Sequence, residues 1–295
     1  MILRGSDRVL VQGITGKQGT FWTERMQAYG TKIMGGVNPK KAGSQHCGVP
    51  VYASAREAMA DGGFEASVMF IPPLGAKAAA LDAIEAGAKT LVILTEFIPV
   101  QDVMIVLAAA KANGCRVVGP NTAGLVTPGD CFVGIMPGFN ANIFQPGPVG
   151  VISRSGSLGT LLCLNIVRAG FGQSAFVGLG GDPVSGTSTR EALEHFDRDE
   201  RTQAVVIVGE IGGTKEEEAA EYAAGMSKPV VAFIAGRAAP AGKKMGHAGA
   251  IVLGDRGTHA SKRQALERAG VAVLDLPSQV GEALAAALPR QGATE

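Results

Sequence analysis

The sequence predicts two doubly wound α/β domains in tandem. Three observations predict it. At 295 residues the chain exceeds one average domain. Short β-branched runs alternate with helical patterns through most of its length. That rhythm breaks once, from about Asn121 to Pro148, where Gly and Pro accumulate (GPNTAG, TPGD, MPGFNANIFQPGPVG), and then restarts.

The first strands are expected at Arg8–Gln12, Lys32–Val37, Ala66–Ile71, Thr90–Thr95 and Arg116–Gly119, with helices Thr20–Ala28, Ala55–Ala60, Ala76–Ala86 and Gln101–Asn113 between them. VMFIP and LVILT are continuously apolar, as strands covered on both faces must be. Ala80, Ile84 and Ala88 instead recur at helical spacing. After the break come strands Val149–Ser153, Ser174–Leu179, Ala204–Gly209, Val230–Ala235 and Val271–Leu274. Their helices are Leu158–Ala169, Ser188–Phe196, Glu216–Ala224, Ser261–Ala269 and Gln279–Leu288. The expected domains are therefore residues 1–125 and 148–295, with 126–147 as a linker or crossover.

Composition narrows the function by exclusion. With 27 basic against 26 acidic residues and no charge block, neither a nucleic-acid tract nor a polybasic membrane patch is expected. No apolar run is long enough to span a bilayer, and MILRGSDRVLVQG lacks a signal-peptide core, so a reducing, cytoplasmic setting is expected. Cys47, Cys115, Cys131 and Cys163 have no C-x-x-C spacing. They read as packed thiols, and no metal site is expected in this chain.

Ligands of such sheets bind beyond the carboxyl ends of strands, and Gly-rich segments fall there repeatedly: GITGKQG, NPKKAG, SRSGS, GLGGDP, GEIGG and AGRAAP. Gly13, Gly16 and Gly19 follow the first strand and precede a helix. This is a G-x-x-G-x-x-G turn whose backbone N–H groups suit a diphosphate. The next strand runs into Asn38, Pro39, Lys40 and Lys41. An NAD site needs an acidic residue there for the ribose. Two lysines suit a ribose carrying an extra phosphate, as in CoA or NADP.

Of the four histidines, His195 lies in a helical pattern, and His46 and His259 are expected in loops without obvious partners. His247 differs, because the small residues of Met245-Gly246-His247-Ala248-Gly249-Ala250 leave its imidazole room. Glu210 ends a strand in GEIGG, where it can fix the ring tautomer and leave the other nitrogen nucleophilic. Ser153-Arg154-Ser155-Gly156-Ser157 closes one strand and opens a helix, whose N-terminus favours an anion. Nucleophile, orienting carboxylate and anion cradle together suit a phosphorylated histidine. A hydrolase built on Ser155 is the rival, but SRSGS is no G-x-S-x-G elbow.

These segments, with TEFIP, VVGPNTAG, SRSGSLG, VGLGGDPVSGTS, GEIGGTKEEEAA, KPVVAFIAG and above all KKMGHAGAI, resemble in order the α subunit of succinyl-CoA synthetase (succinate–CoA ligase) over nearly the whole chain. Malate–CoA ligase and parts of ATP-citrate lyase share that superfamily. The resemblance implies an N-terminal Rossmann-like CoA-binding domain followed by a flavodoxin-like ligase domain. It implies that Thr15, Gly16, Lys17, Gln18, Lys41 and Leu94, Thr95 and Glu96 contact CoA, that Glu210 orients a phosphorylated His247, and that Ser155 and Gly156 hold the phosphate. Thr160 and Asn121 would lie near the small carboxylic acid substrate. An ATP-grasp β subunit, in an αβ or α2β2 assembly, would supply ATP or GTP with Mg2+. In agreement, the chain has no G-x-x-x-x-G-K-[ST] loop of its own.

Four positions depart from the family pattern: Thr160 replaces a usual tyrosine, Phe97 a glycine, Phe139 a histidine and Ala123 a proline. The first three bear on which acid is used, with malate or another small acid as the alternative to succinate. Readings from other classes are an NADP-linked oxidoreductase and a non-catalytic CoA-binding sensor. The first leaves KKMGHAGAI unexplained; an intact His247 and Glu210 count against the second.

Overall fold

A computed structural model describes residues 2–240, 245–252 and 256–288. The chain divides into two compact units, residues 1–139 with 178–187, and residues 140–177 with 188–295.

The first unit begins with β1 (Arg8–Gln12), α1 (Lys17–Tyr29) and β2 (Lys32–Val37), followed by the small antiparallel pair β3 (Gln45–His46) and β4 (Val49–Tyr52). Then come α2 (Ala55–Ala60), β5 (Ala66–Met69), α3 (Pro73–Glu85), β6 (Thr90–Ile93), α4 (Val100–Ala112) and β7 (Arg116–Val118). The sheet order is β3-β4-β2-β1-β5-β6-β7, with parallel pairing from β4 to β7. Strands β5 and β6 are buried at every position, as continuous apolar runs require when helices cover both faces. Ala76, Ala80, Ala83 and Ile84 line the buried face of α3, and the small residues let that helix sit close to the strands.

The stretch 126–147, expected as a linker or crossover, holds regular structure. An antiparallel hairpin, β8 (Gly124–Thr127) and β9 (Cys131–Gly134), occupies part of it and belongs to the first unit. Thr127–Pro128–Gly129–Asp130 supplies the turn between two β-prone runs.

The second unit holds β10 (Pro146–Ser153), α5 (Gly156–Arg168), β11 (Gln173–Gly178), α6 (Thr189–Arg198), β12 (Ala204–Glu210), α7 (Lys215–Ala223), β13 (Val230–Ala235), α8 (His259–Arg268), β14 (Ala272–Leu274) and α9 (Val280–Ala287). Its strands follow the order β14-β13-β12-β10-β11, so β12 and β10 lie at the centre and their carboxyl ends stand side by side. Every residue of β12 is buried. Gly150 on β10 admits the Phe196 ring, which a Cβ would approach to 2.5 Å.

Two histidine expectations need correcting. His46 lies on β3 with its Nε2 2.7 Å from Thr20 Oγ1. His259 opens α8, and burial followed by the nearby Arg263 and Arg237 lowers its pKa. Cys115, Cys131 and Cys163 are buried. Burial pushes the Cys115 thiol up to about 11 and that of Cys131 to about 12, so both stay protonated.

Candidate active site

In the second unit, β12 ends at Glu210 and β10 at Ser153. Ser155 caps α5, its Oγ accepting from Leu158 N at 3.3 Å. The first amides of α5, at Gly156 and Ser157, have no acceptor within the helix and form the positive end of its dipole.

His247 lies on the loop between β13 and α8, its side chain 29% exposed, while the Glu210 carboxylate is 8% exposed. The ring Nδ1 is 2.8 Å from Glu210 Oε2 and 3.0 Å from Oε1. An ionised carboxylate only accepts, so Nδ1 carries the hydrogen and Nε2 the lone pair. Ser155, Ser157, Leu158, Glu210 and His247 line one cleft of about 320 Å³ with Ile211 and Gly246.

Two glycines bring the histidine loop and the strand end together. Gly212 has φ +90°, and a Cβ on it would lie 2.1 Å from Gly249 O. Any larger residue would push the GEIGG turn off the HAGA loop, separating Glu210 from His247. The loop also closes on itself, through Ala250 N to His247 O at 3.1 Å and Met245 N to Ala250 O at 3.0 Å.

Beneath this pair lies a buried set of charges that the sequence reading did not foresee. Arg154 Nη2 is 3.3 Å from Glu210 Oε1, and its Nη1 is 3.4 Å from Glu216 Oε1. Lys262 Nζ pairs with Glu216 Oε2 and donates to the carbonyls of Glu210 and Gly212, each at 2.8 Å. Glu216 and Lys262 are fully buried. Gly209 makes room for this arrangement, since a Cβ there would meet Glu216 Oε1 at 2.8 Å. Two cations balance two carboxylates, so Glu210 keeps a partner when it faces the imidazole. Arg154 was visible in SRSGS, but nothing local marks Glu216 or Lys262, which lie 46 residues apart.

The remaining predicted residues fall as follows. Thr160, one turn into α5, donates to Gly156 O at 2.8 Å. Phe139, in the first unit, packs against Phe132 with Arg25 over its ring. Ala123 accepts from Ile135 N through its carbonyl. Lys243 and Lys244 of KKMGHAGAI lie outside the described residues.

The first unit holds the other predicted set. Gly13 has φ +79°, and a Cβ would fall 2.4 Å from Phe70 O; one on Gly19 would fall 2.2 Å from Gly13 O. Neither Gly13 nor Gly19 has space for a side chain, and a cradle of bare backbone at these positions suits a close-approaching phosphate. Gly16 caps α1 with no side-chain hydrogen bond, leaving the first amides at Lys17 and Gln18 for another acceptor. Thr15 Oγ1 accepts from Asn38 Nδ2 at 2.5 Å, which ties the cradle to the end of β2. Lys40 and Lys41 follow in an exposed 3-10 turn. Leu94, Thr95 and Glu96 stand half-buried beyond β6, where Thr95 O accepts from Asn121 N at 3.0 Å.

Residues 5–97 match the CoA binding domain family and residues 152–272 the CoA-ligase family. The chain is 50% identical to an ADP-forming succinate–CoA ligase α subunit of Methanothermobacter thermautotrophicus, over 98% of this chain and 97% of that one. It is 43% identical to a subunit of an ADP-forming sulfoacetate-CoA ligase of Bilophila wadsworthia, over 98% and 99% of the two chains. The structure of ATP citrate lyase from Methanothrix soehngenii shares the fold, with a TM-score of 0.86 at 23% identity, covering 96% of this chain and 51% of that one. Half of all positions are shared over nearly the full length of both chains, and on that ground the chain belongs to the family of succinate–CoA ligase α subunits and is an acid–thiol ligase.

Proposed function

We propose that this chain is the phosphohistidine-bearing subunit of a ligase that joins a small dicarboxylic or related acid to CoA. The observation that carries the reading is the His247 Nδ1 to Glu210 contact at 2.8 Å, beside the open N-terminus of α5. Nε2 attacks the terminal phosphorus of ATP or GTP, forming an N–P bond as the nucleoside diphosphate leaves. The Ser155–Gly156 turn takes the phosphoryl oxygens. A carboxylate oxygen of the acid then displaces Nε2 from phosphorus, giving an acyl phosphate. The CoA thiolate attacks the acyl carbon, and orthophosphate leaves. CoA fits the first unit, with its diphosphate on the Gly13–Gly19 cradle and its 3′-phosphate toward Lys41. The nucleotide and Mg2+ are assigned to a β subunit in an αβ or α2β2 complex.

Succinate is the family default. Thr160 favours a different acid in one respect: its short side chain hydrogen-bonds back to its own helix and offers neither the aromatic wall nor the phenolic hydroxyl of the usual tyrosine. A relative 43% identical to this chain carries the name of a sulfoacetate ligase, so sulfonated, hydroxylated and longer acids belong in the substrate screen.

The test is incubation of the chain with its β subunit, ATP and Mg2+, followed by intact mass before and after mild acid. Parent protein gains an acid-labile phosphate, and His247→Asn gains none while keeping its fold. Undiminished labelling of the variant would overturn the assignment.

A further inference from the structure

Among the described residues, the non-glycine positions with left-handed backbone are Cys47, Phe97 and Asn121, at φ +50°, +64° and +55°. Two of them stand at one place. Thr95 Oγ1 donates to Ile71 O at 2.6 Å and Thr95 O accepts from Asn121 N at 3.0 Å, so the chain ends beyond β5, β6 and β7 form one crest. A left-handed asparagine is common, but a left-handed phenylalanine is a steric outlier. Phe97 is also 74% exposed, so folding gains little burial from its ring. Leu74, three residues beyond Ile71, is 89% exposed. Strain held in place beside exposed apolar surface marks a part that something else uses.

Strand order indicates what that is. Neighbours run β2-β1-β5-β6, about 4.8 Å apart. The crest beyond β6 thus stands two strands, about 10 Å, from the phosphate cradle after β1, on the side away from Lys41 after β2. A ligand with one phosphate at Lys41 and its diphosphate on the cradle must run its remaining length toward β6. In CoA that remainder is the pantetheine arm, uncharged and rich in methyl and methylene groups. We propose that Phe97 packs against the pantetheine arm of bound CoA and so positions its thiol end. The proposal rests on the CoA reading above.

Calorimetry on the full chain tests it with CoA and with adenosine 3′,5′-bisphosphate, which has no pantetheine arm. Phe97→Gly should weaken CoA about tenfold, the equivalent of about 1.4 kcal/mol. It should leave adenosine 3′,5′-bisphosphate affinity unchanged. Thermal stability should hold or rise, because glycine adopts this backbone without strain. Unchanged CoA affinity overturns the proposal, whether or not assembly with the β subunit is lost. Equal weakening of both ligands overturns it too, by placing the ring at the adenosine end. If the parent chain binds neither ligand, the CoA reading itself fails, an outcome distinct from the others.

Discussion

Replacing Glu210 by Gln probes the central pair most directly, because it keeps the shape and an oxygen that can accept from Nδ1–H. What it removes is charge. The imidazole becomes more positive as Nε2 bonds to phosphorus, and a carboxylate about 4 Å from that charge is worth about 4 kcal/mol at an effective dielectric of about 20. The neutral amide recovers about 1 kcal/mol through its hydrogen bond. The remaining loss, about 3 kcal/mol, corresponds to phosphorylation roughly 10²-fold slower. The same change leaves Arg154 with Glu216 as its carboxylate partner of the two, so some stability is lost as well. Rates must therefore be measured well below the melting transition. The assay is a single turnover with the β subunit and Mg-ATP, quenched at intervals and read as acid-labile phosphate. A folded Glu210→Gln protein phosphorylated within about threefold of the parent rate, against the loss expected from Coulomb's law, would refute the orienting role.

Lys262→Met takes the closer of two cations from the fully buried Glu216 carboxylate and leaves it Arg154 alone; it should cost about 3–5 kcal/mol of stability, measured by urea unfolding. A loss below about 1 kcal/mol, the range of exposed pairs, would show that the pair is solvated in solution. Lys41→Ala should abolish any preference for CoA over dephospho-CoA in calorimetry, and a preference that survives would move the 3′-phosphate elsewhere. For Cys115, burial holds the folded pKa at about 11, above the ordinary value of a thiol. The unfolded chain then loses its proton first, so stability falls from pH 9 to about 11 and levels off beyond, by about 1–3 kcal/mol. Cys115→Ala should remove that drop, and an unchanged pH profile would assign it to other groups.

Strands and helices were legible wherever one period dominated. Strands Arg8–Gln12, Lys32–Val37 and Val230–Ala235 and helix Ala55–Ala60 fall where the sequence predicts, to the residue. Helix starts were less legible, because caps and turns set them rather than apolar spacing. Helix α1 begins at Lys17, straight out of the Gly16 turn, and α3 at Pro73, since proline is tolerated in the first helical turn. The β8–β9 hairpin was lost among glycines and prolines that suggested a linker. Within the second unit the motif residues Ser155, Glu210 and His247 meet in one cleft. Their buried support does not share that legibility, because Glu216 sits in an acidic run at a helix start and Lys262 in a polar helix, each like a solvated surface residue.

That hidden support explains why the glycines matter as much as the charged groups. A carboxylate can orient the imidazole only if strand end and loop stay within hydrogen-bond reach, and Gly212 against Gly249 O sets that spacing. The carboxylate stays ionised at low cost only if cations reach it, and Gly209 gives Glu216 the space to hold Arg154 and Lys262 there. Lys262 closes the circuit from behind, by gripping the Glu210 and Gly212 carbonyls that flank the turn. In the proposed reaction, a side chain added at either glycine would therefore act through the geometry of His247, without touching a substrate.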